Sequence, residues 1–218
     1  MSERYTLLLR LEGPMQSWGY RSRFDYRDTS LEPTRSGVIG LICAAMGIAR
    51  GEDISRFEAV RMGVRVDKEG RPERDYHTAL DVIKADGSGR ETVVSRRDYL
   101  ADASFTVGLE SEDKALLEEI VAALRNPEWT LFLGRRAFCL ADHPLSASRP
   151  PVVPLDLESA LKRAAIPIRF KPSRGMQRCR LVVESEEGER TQHDWPICFR
   201  KRQFKPRTIR TTFAGEKT

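Results

Sequence analysis

Along residues 4 to 11, Tyr5, Leu7, Leu9 and Leu11 alternate with Thr6, Leu8 and Arg10. That period of two predicts a strand with one buried face, ended by the turn Gly13-Pro14. From Pro33 the period changes. Val38, Ile39, Leu41, Ile42, Ala45, Met46 and Ile48 leave little polar surface, which predicts a helix pressed against a sheet, with Ser36 as its N-cap. Val60, Met62, Val64 and Val66 then alternate with Arg61, Gly63 and Arg65, predicting a second strand with a basic outer face. Ala103, Phe105, Val107 and Leu109 predict a third. A second helix is expected from near Ser111, with Glu112 and Asp113 in its first turn and Leu116, Leu117, Ile120, Val121 and Leu124 inward. Asn126-Pro127 stops it, and Thr130 to Leu133, bounded by Gly134, is short and apolar enough for a fourth strand.

The order strand, helix, strand, strand, helix, strand is the split βαβ unit, so the chain reads as α+β with a ferredoxin-like, RRM-like core. Residues 67–102, between the second and third strands, far exceed an ordinary connection, and Val93-Val94 inside them hints at a hairpin. A basic arm that grips a polymer or a neighbour is the preferred reading of this insertion. Residues 1–140 are therefore expected to form the core domain with its arm, and 141–218 a smaller β-rich extension. In the extension, Pro144, Pro150, Pro151 and Pro154 suggest a linker or strap. Arg180 to Glu184 and Gln192 to Phe199 are expected to pair across Glu186-Glu187-Gly188-Glu189. The run RKRQFKPRTIR is either a solvated tail or a second contact for RNA or protein.

The chain has 218 residues, 40% hydrophobic and 32% charged, with a formal charge of +5. This supports a real core and favours a polyanionic partner, provided that the excess is gathered locally. The four cysteines are scattered without a C-x-x-C pair, so neither zinc nor a disulfide framework is indicated, and a reducing cytoplasm is the expected location. No signal peptide is read in MSERYTLLLRLEG, and no apolar run is long enough for a spanning helix.

Candidate chemistry gathers in four places. Arg35, Ser36 and Gly37 form a basic, glycine-softened entrance to the first helix, which is either an anion site or an ordinary capped core helix. Gln16, Ser17 and Trp18 open a stretch in which Trp18, Tyr20, Phe24 and Tyr26 are interleaved with Arg21, Arg23 and Arg27. Such a stretch either stacks single-stranded bases beside phosphates or is a loop pinned by aromatic anchors. The arm carries Tyr76, His77 and Thr78, then Arg96 and Arg97. Finally, Arg135 and Arg136 follow Gly134, where backbone and guanidiniums can meet a phosphate. With only three histidines, catalytic options are few. Tyr76 with His77 could cleave RNA by general acid and base steps, though a stacking role needs fewer coincidences. Cys139 and His143 have a ligand-like separation, but two ligands do not make a metal site, and no cofactor fingerprint is present.

The segments LRLEGPMQSWG, PTRSGVIGLICAAMG, RDYHTAL, RRDYLADASFTVGL and FLGRRAFCL with HPL behind it resemble, in order, the Cas-five family of the RAMP superfamily. Its type I-E members are subunits of the CRISPR surveillance complex Cascade. The resemblance implies a ferredoxin-like domain, a thumb-like arm and a smaller C-terminal part. It also implies a non-catalytic scaffold that holds the 5′ handle of the CRISPR RNA and contacts the backbone and large subunits, with target DNA met only indirectly and no membrane. Type I-C relatives cleave RNA, which keeps an endoribonuclease acting through Tyr76 and His77 open, as does a purely protein-interaction role. Past residue 145 only Arg202-Gln203-Phe204 matches the family, which adds Arg202 to the expected RNA contacts.

Overall fold

A computed structural model describes residues 3–19, 26–167 and 179–214. In chain order the strands are β1 (Tyr5–Glu12), β2 (Met15–Gln16), β3 (Tyr26–Arg27), β4 (Arg61–Lys68), β5 (Arg71–Ile83), β6 (Arg90–Ala101), β7 (Ser104–Ser111), β8 (Val152–Val153), β9 (Cys179–Glu184), β10 (Arg190–Cys198) and β11 (Gln203–Ala214). The helices are α1 (Arg35–Met46), α2 (Lys114–Arg125) and α3 (Leu157–Arg163). A seven-stranded sheet has the order β10-β11-β9-β4-β7-β1-β8, and a separate sheet forms the arm.

The main core follows from the alternation. Leu7, Leu9 and Leu11 of β1, Met62, Val64 and Val66 of β4, and Phe105, Val107 and Leu109 of β7 share one face, covered by the apolar sides of α1 and α2. The opposite face is not open, contrary to the expectation of one buried face. Leu8 joins Leu157, Ala160 and Leu161 of α3 with Cys179, Leu181 and Val183 of β9 in a second core. Gly63 and Gly108 let α3 lie close, since a Cβ on Gly108 would stand 2.7 Å from Leu157 Cδ1. The outer face of β4 is likewise not a free basic surface. Arg65 is buried, donating to Asp67 at 2.7 Å and to the carbonyls of Leu161 and Ala164, while Arg10 also bonds Asp67. These two guanidiniums satisfy the C-terminal carbonyls of α3, so the charge pattern read from β4 serves packing rather than a partner.

Four further differences have local causes. The N-cap of α1 is Thr34 rather than Ser36, its hydroxyl accepting from the Gly37 amide. α2 begins after Asp113, which caps the Leu116 amide, so the acidic pair precedes the helix instead of occupying its first turn. Residues 130–133 form no strand, because Leu133 turns back on Phe138 and Ser17 through backbone bonds. The edge beside β1 is taken by β8 from the proline-rich segment, with Thr6 opposite Val153. Lastly, β9 and β10 do not pair with each other. β11 lies between them, so residues 203–210 of the basic run are an interior strand rather than a solvated tail, and the β-branched residues Thr208, Ile209, Thr211 and Thr212 carry its ladder. Because β9 pairs directly with β4, no break in the sheet marks a boundary at residue 140. No helix among the described residues is long and apolar enough to cross a membrane.

The arm is the expected excursion within 67–102. β5 and β6 form a long antiparallel hairpin, and β2 and β3 pair with the free edge of β6 near its base, with Gln16 opposite Leu100 and Arg27 opposite Arg97. Almost all of β5 is exposed, so the body does not dictate its side chains.

Candidate nucleic-acid interface

Alternation along the hairpin sorts its residues onto two faces. Arg74, Tyr76 and Thr78 of β5 and Val94, Arg96 and Asp98 of β6 share one face, since Arg74 pairs with Asp98, Tyr76 with Arg96 and Thr78 with Val94. Tyr26 joins them across β3. Its hydroxyl donates to Asp98 Oδ2 at 2.6 Å, and Arg74 Nε donates to Asp98 Oδ1 at 2.6 Å. The Arg74 guanidinium holds the Asp98 carboxyl below its ordinary value, assisted by the Tyr26 hydroxyl against partial burial. Arg74 and Asp98 are therefore matched on this face, while Arg96, opposite Tyr76, is exposed and in no ion pair among the described residues.

The other face is different. It carries Arg27, Asp75, His77, Ser95 and Arg97. The turn that follows Leu133 folds beneath it, with Phe138 against Tyr99 at 5.9 Å between ring centres. Arg135 rises from this turn, its Nη2 donating to the Asp98 carbonyl at 2.7 Å and its guanidinium lying 5.3 Å from the centre of the Phe138 ring. Its pKa is pushed down, first by burial and then by the charges of Arg97 and Arg27, with Asp75 and Asp98 opposing. Arg27 and Arg97 are cross-strand neighbours and Arg135 reaches the backbone one residue from Arg97, so three guanidiniums gather at the base of the arm. Among the described residues none of the three is in an ion pair, and Arg97 donates only to Ser95 Oγ, at 3.1 Å. Asp75, opposite Arg97, and Glu73, opposite Tyr99, share this face, so the three guanidiniums outnumber the carboxylates beside them by one; Arg97 and Arg135 are half-buried, and the planar donors of this positive excess suit phosphate oxygens. Arg136 is exposed next door.

The turn is built by Gly134. Its φ is +87°, and a Cβ there would fall 1.8 Å from the Ser17 carbonyl oxygen. Gly134→Ala is accordingly expected to displace the turn. A backbone clash added to left-handed strain costs about 1–3 kcal/mol, and affinity for single-stranded RNA should fall with the melting temperature. Unchanged melting and binding together would show that Arg135 does not depend on this contact.

Several expected contacts lie elsewhere. Trp18 is 1% exposed and packs in the main core, its Nε1 donating to Gln16 Oε1, while Gln16 Nε2 donates to the Ala103 carbonyl. With no free ring face it cannot stack a base. The Ser17 amide donates to the Leu133 carbonyl, and its hydroxyl lies 3.4 Å from the Asp98 carbonyl. Gln16, Ser17 and Trp18 therefore position β6 and the Gly134 turn rather than reach a ligand. Tyr20 to Asp25, including the expected Arg21, Arg23 and Phe24, lie outside the described residues.

The helix entrance is an anion site already filled by the chain. The Arg35 amide donates to Asp194 Oδ2 at 2.7 Å, and its guanidinium, 1% exposed, donates to Glu184 at 2.9 Å and the Phe57 carbonyl at 2.8 Å. Trp195 stacks on it at 3.7 Å. Burial pushes the Arg35 guanidinium down while Glu184 resists. Arg207 bonds both Asp194 and Glu184, completing a buried network of two arginines and two carboxylates. Gly37 packs on Trp18, where a Cβ would meet the ring at 2.7 Å, and Ser36 is half-buried. Neither Arg35 nor Gly37 is free to hold a phosphate.

Comparison with known families agrees with this architecture. The family model described as "CRISPR-associated protein (Cas_Cas5)" matches residues 6–210. The chain belongs to the Cas5 family. This Cas5 member is 40% identical over 158 residues to the "CRISPR system Cascade subunit CasD" of Escherichia coli (strain K12), covering 65% of this chain and 70% of that one. It is also similar to a chain of a solved "CRISPR RNA-guided surveillance complex", with a TM-score of 0.82, 35% identity and coverage of 96% of this chain and 90% of that one. A solved "Crystal structure of Cas protein" gives a TM-score of 0.74 at 39% identity, covering 95% and 94%.

Of the expected residues, the Cas5 arm thus brings together Arg97 and Arg135, with Arg136 beside them and His77 further out on the same face. Tyr76, Thr78 and Arg96 occupy the opposite face, and Arg202 sits at the turn between β10 and β11, sharing no element with the arm. Arg27 was in view only as one of several arginines between aromatics. Its pairing with Arg97 through two residues of parallel strand leaves no period to read.

Proposed function

We propose that the chain is a CRISPR RNA-binding and assembly subunit of a Cascade-type surveillance complex, holding the 5′ handle of the guide at the base of its arm. The observation that carries this reading is the gathering of Arg27, Arg97 and Arg135 at the arm base, none of them in an ion pair among the described residues, in a family member akin to a Cascade subunit. The backbone of a single strand would lie against these guanidiniums, with affinity supplied by phosphate contacts and choice by a few polar groups, among them His77 and Arg136. The outer arm suits a protein neighbour. Leu80 is 74% and Ile83 67% exposed, an apolar tip that a backbone subunit would cover, while the large subunit would meet another part of the chain. Target DNA would be met only through these partners.

The role is non-catalytic. Tyr76 and His77 are consecutive on β5, so their side chains leave opposite faces of the hairpin and cannot act on one 2′-hydroxyl as an acid and base pair. Incubating the purified chain with labelled repeat RNA in EDTA is expected to leave the RNA intact, for the parent and for His77→Ala alike. A discrete product from the parent that His77→Ala abolishes would replace the scaffold with a metal-independent endoribonuclease.

A further inference from the structure

The turn between β10 and β11 has no part in the arm site, yet it concentrates charge. Arg200, Lys201 and Arg202 are consecutive and exposed, and the turn is fixed to the loop after α1 by a bond from the Arg200 amide to the Arg50 carbonyl at 2.8 Å. This brings Arg50, also exposed, beside them, and a Cβ on Gly51 would stand 3.4 Å from Arg200 Cδ. The acidic neighbours are engaged. Glu52 accepts from the Ala49 amide, Asp53 from Ser55, and Glu58 pairs with Lys205. Among the described residues none of Arg50, Arg200, Lys201 and Arg202 has an ion pair or a side-chain hydrogen bond. Phe204 and Ile197, 39% and 49% exposed, flank the cations.

We infer that this turn is a second nucleic-acid surface, which grips a phosphate backbone outside the segment held at the arm base. The rigid turn presents several cations at fixed spacing, and exposed Phe204 offers a sequence-tolerant ring beside them. The exposed ring favours a single strand, whose unpaired bases it can stack, so the backbone is that of the continuing strand and a duplex is the alternative that the probes test.

The test uses the full chain and three fluorescent probes: a short single-stranded RNA that fills only the arm site, a longer one, and a DNA duplex. Arg200, Lys201 and Arg202 are changed together to glutamine. The variant is expected to bind the longer strand about tenfold more weakly and the duplex within twofold of the parent. For the longer strand the slope of log affinity against log salt should be shallower by about 2, each of three lost phosphate contacts accounting for roughly 0.7. A loss confined to the duplex overturns the assignment to a single strand. Short-RNA affinity should stay within twofold, whereas the Arg97 and Arg135 variants lose it, so the two surfaces fail separately. The inference is overturned if the longer strand does not weaken. It is equally overturned if the short RNA weakens as much as the longer one, or if a polyglutamate peptide competes as well as nucleic acid and marks an acidic protein surface instead.

Discussion

Arg97→Ala combined with Arg135→Ala is expected to weaken binding of a short single-stranded RNA by about 100-fold. Each hydrogen bond to a charged group contributes roughly 1.5–3 kcal/mol, and 1.4 kcal/mol is a factor of ten, so two losses at the low end already reach that size. The slope of log affinity against log salt should become shallower by about 1.4, from two phosphates at roughly 0.7 each. Among the described residues neither side chain is in an ion pair, and Arg135 donates one bond, to the Asp98 carbonyl, so truncation leaves little unpaired inside the protein. Melting should therefore stay close to that of the parent. Arg135→Lys is the informative control. It keeps the charge and the slope but loses the planar fork and the stack on Phe138, so affinity should fall by less than for alanine. Full affinity in the double variant, at a salt concentration where the parent binds, would remove the arm base as the RNA site.

How much of this was legible in the chain depends on whether a residue's role is set by local period or by distant partners. Leu7, Leu9 and Leu11, or Phe105, Val107 and Leu109, reach the core by alternation alone, and the order of the strands and helices through α2 followed from such patterns. The arm was legible as an insertion too long to be a connection. Charge was misleading because its meaning depends on what packs against it. Arg65 and Arg35 read as free cations, yet one supports the end of α3 and the other meets carboxylates about 150 residues away in sequence, Glu184 and Asp194. Trp18 reads the same way whether it stacks a base or fills a core, and only Gly37 beneath its ring decides. β11 was hidden by its own basic run, since no local signal says that a charged segment will be inserted between two strands. Arg135 was legible because its signal was local: a glycine whose left-handed backbone forces a turn, followed by two arginines.

The buried network makes a second large effect, this time on stability. Asp194→Ala removes the acceptor of two Arg207 hydrogen bonds and of the Arg35 amide, and it leaves one guanidinium and one helix N–H short of partners in a site that is itself 0% exposed. Breaking a buried pair from one side costs about 3–5 kcal/mol. For a chain of this size 1 kcal/mol moves the melting temperature by about 2–4 °C, so a fall of roughly 10 °C is expected by differential scanning calorimetry. Arg35→Ala should also destabilise, because it strips one partner from Glu184 and uncovers the Trp195 face. At temperatures where either variant remains folded, RNA affinity should hold within twofold, since the network shares no residue with the arm base. Replacing Asp194 and Arg207 together by Leu and Met should recover part of the loss, because two apolar groups of similar volume leave no buried charge unmatched. Recovery stays partial, as the Arg35 amide still lacks its acceptor. If Asp194→Ala melted with the parent while RNA binding collapsed, the helix entrance would be a ligand site after all, and its internal carboxylate only a placeholder that RNA displaces.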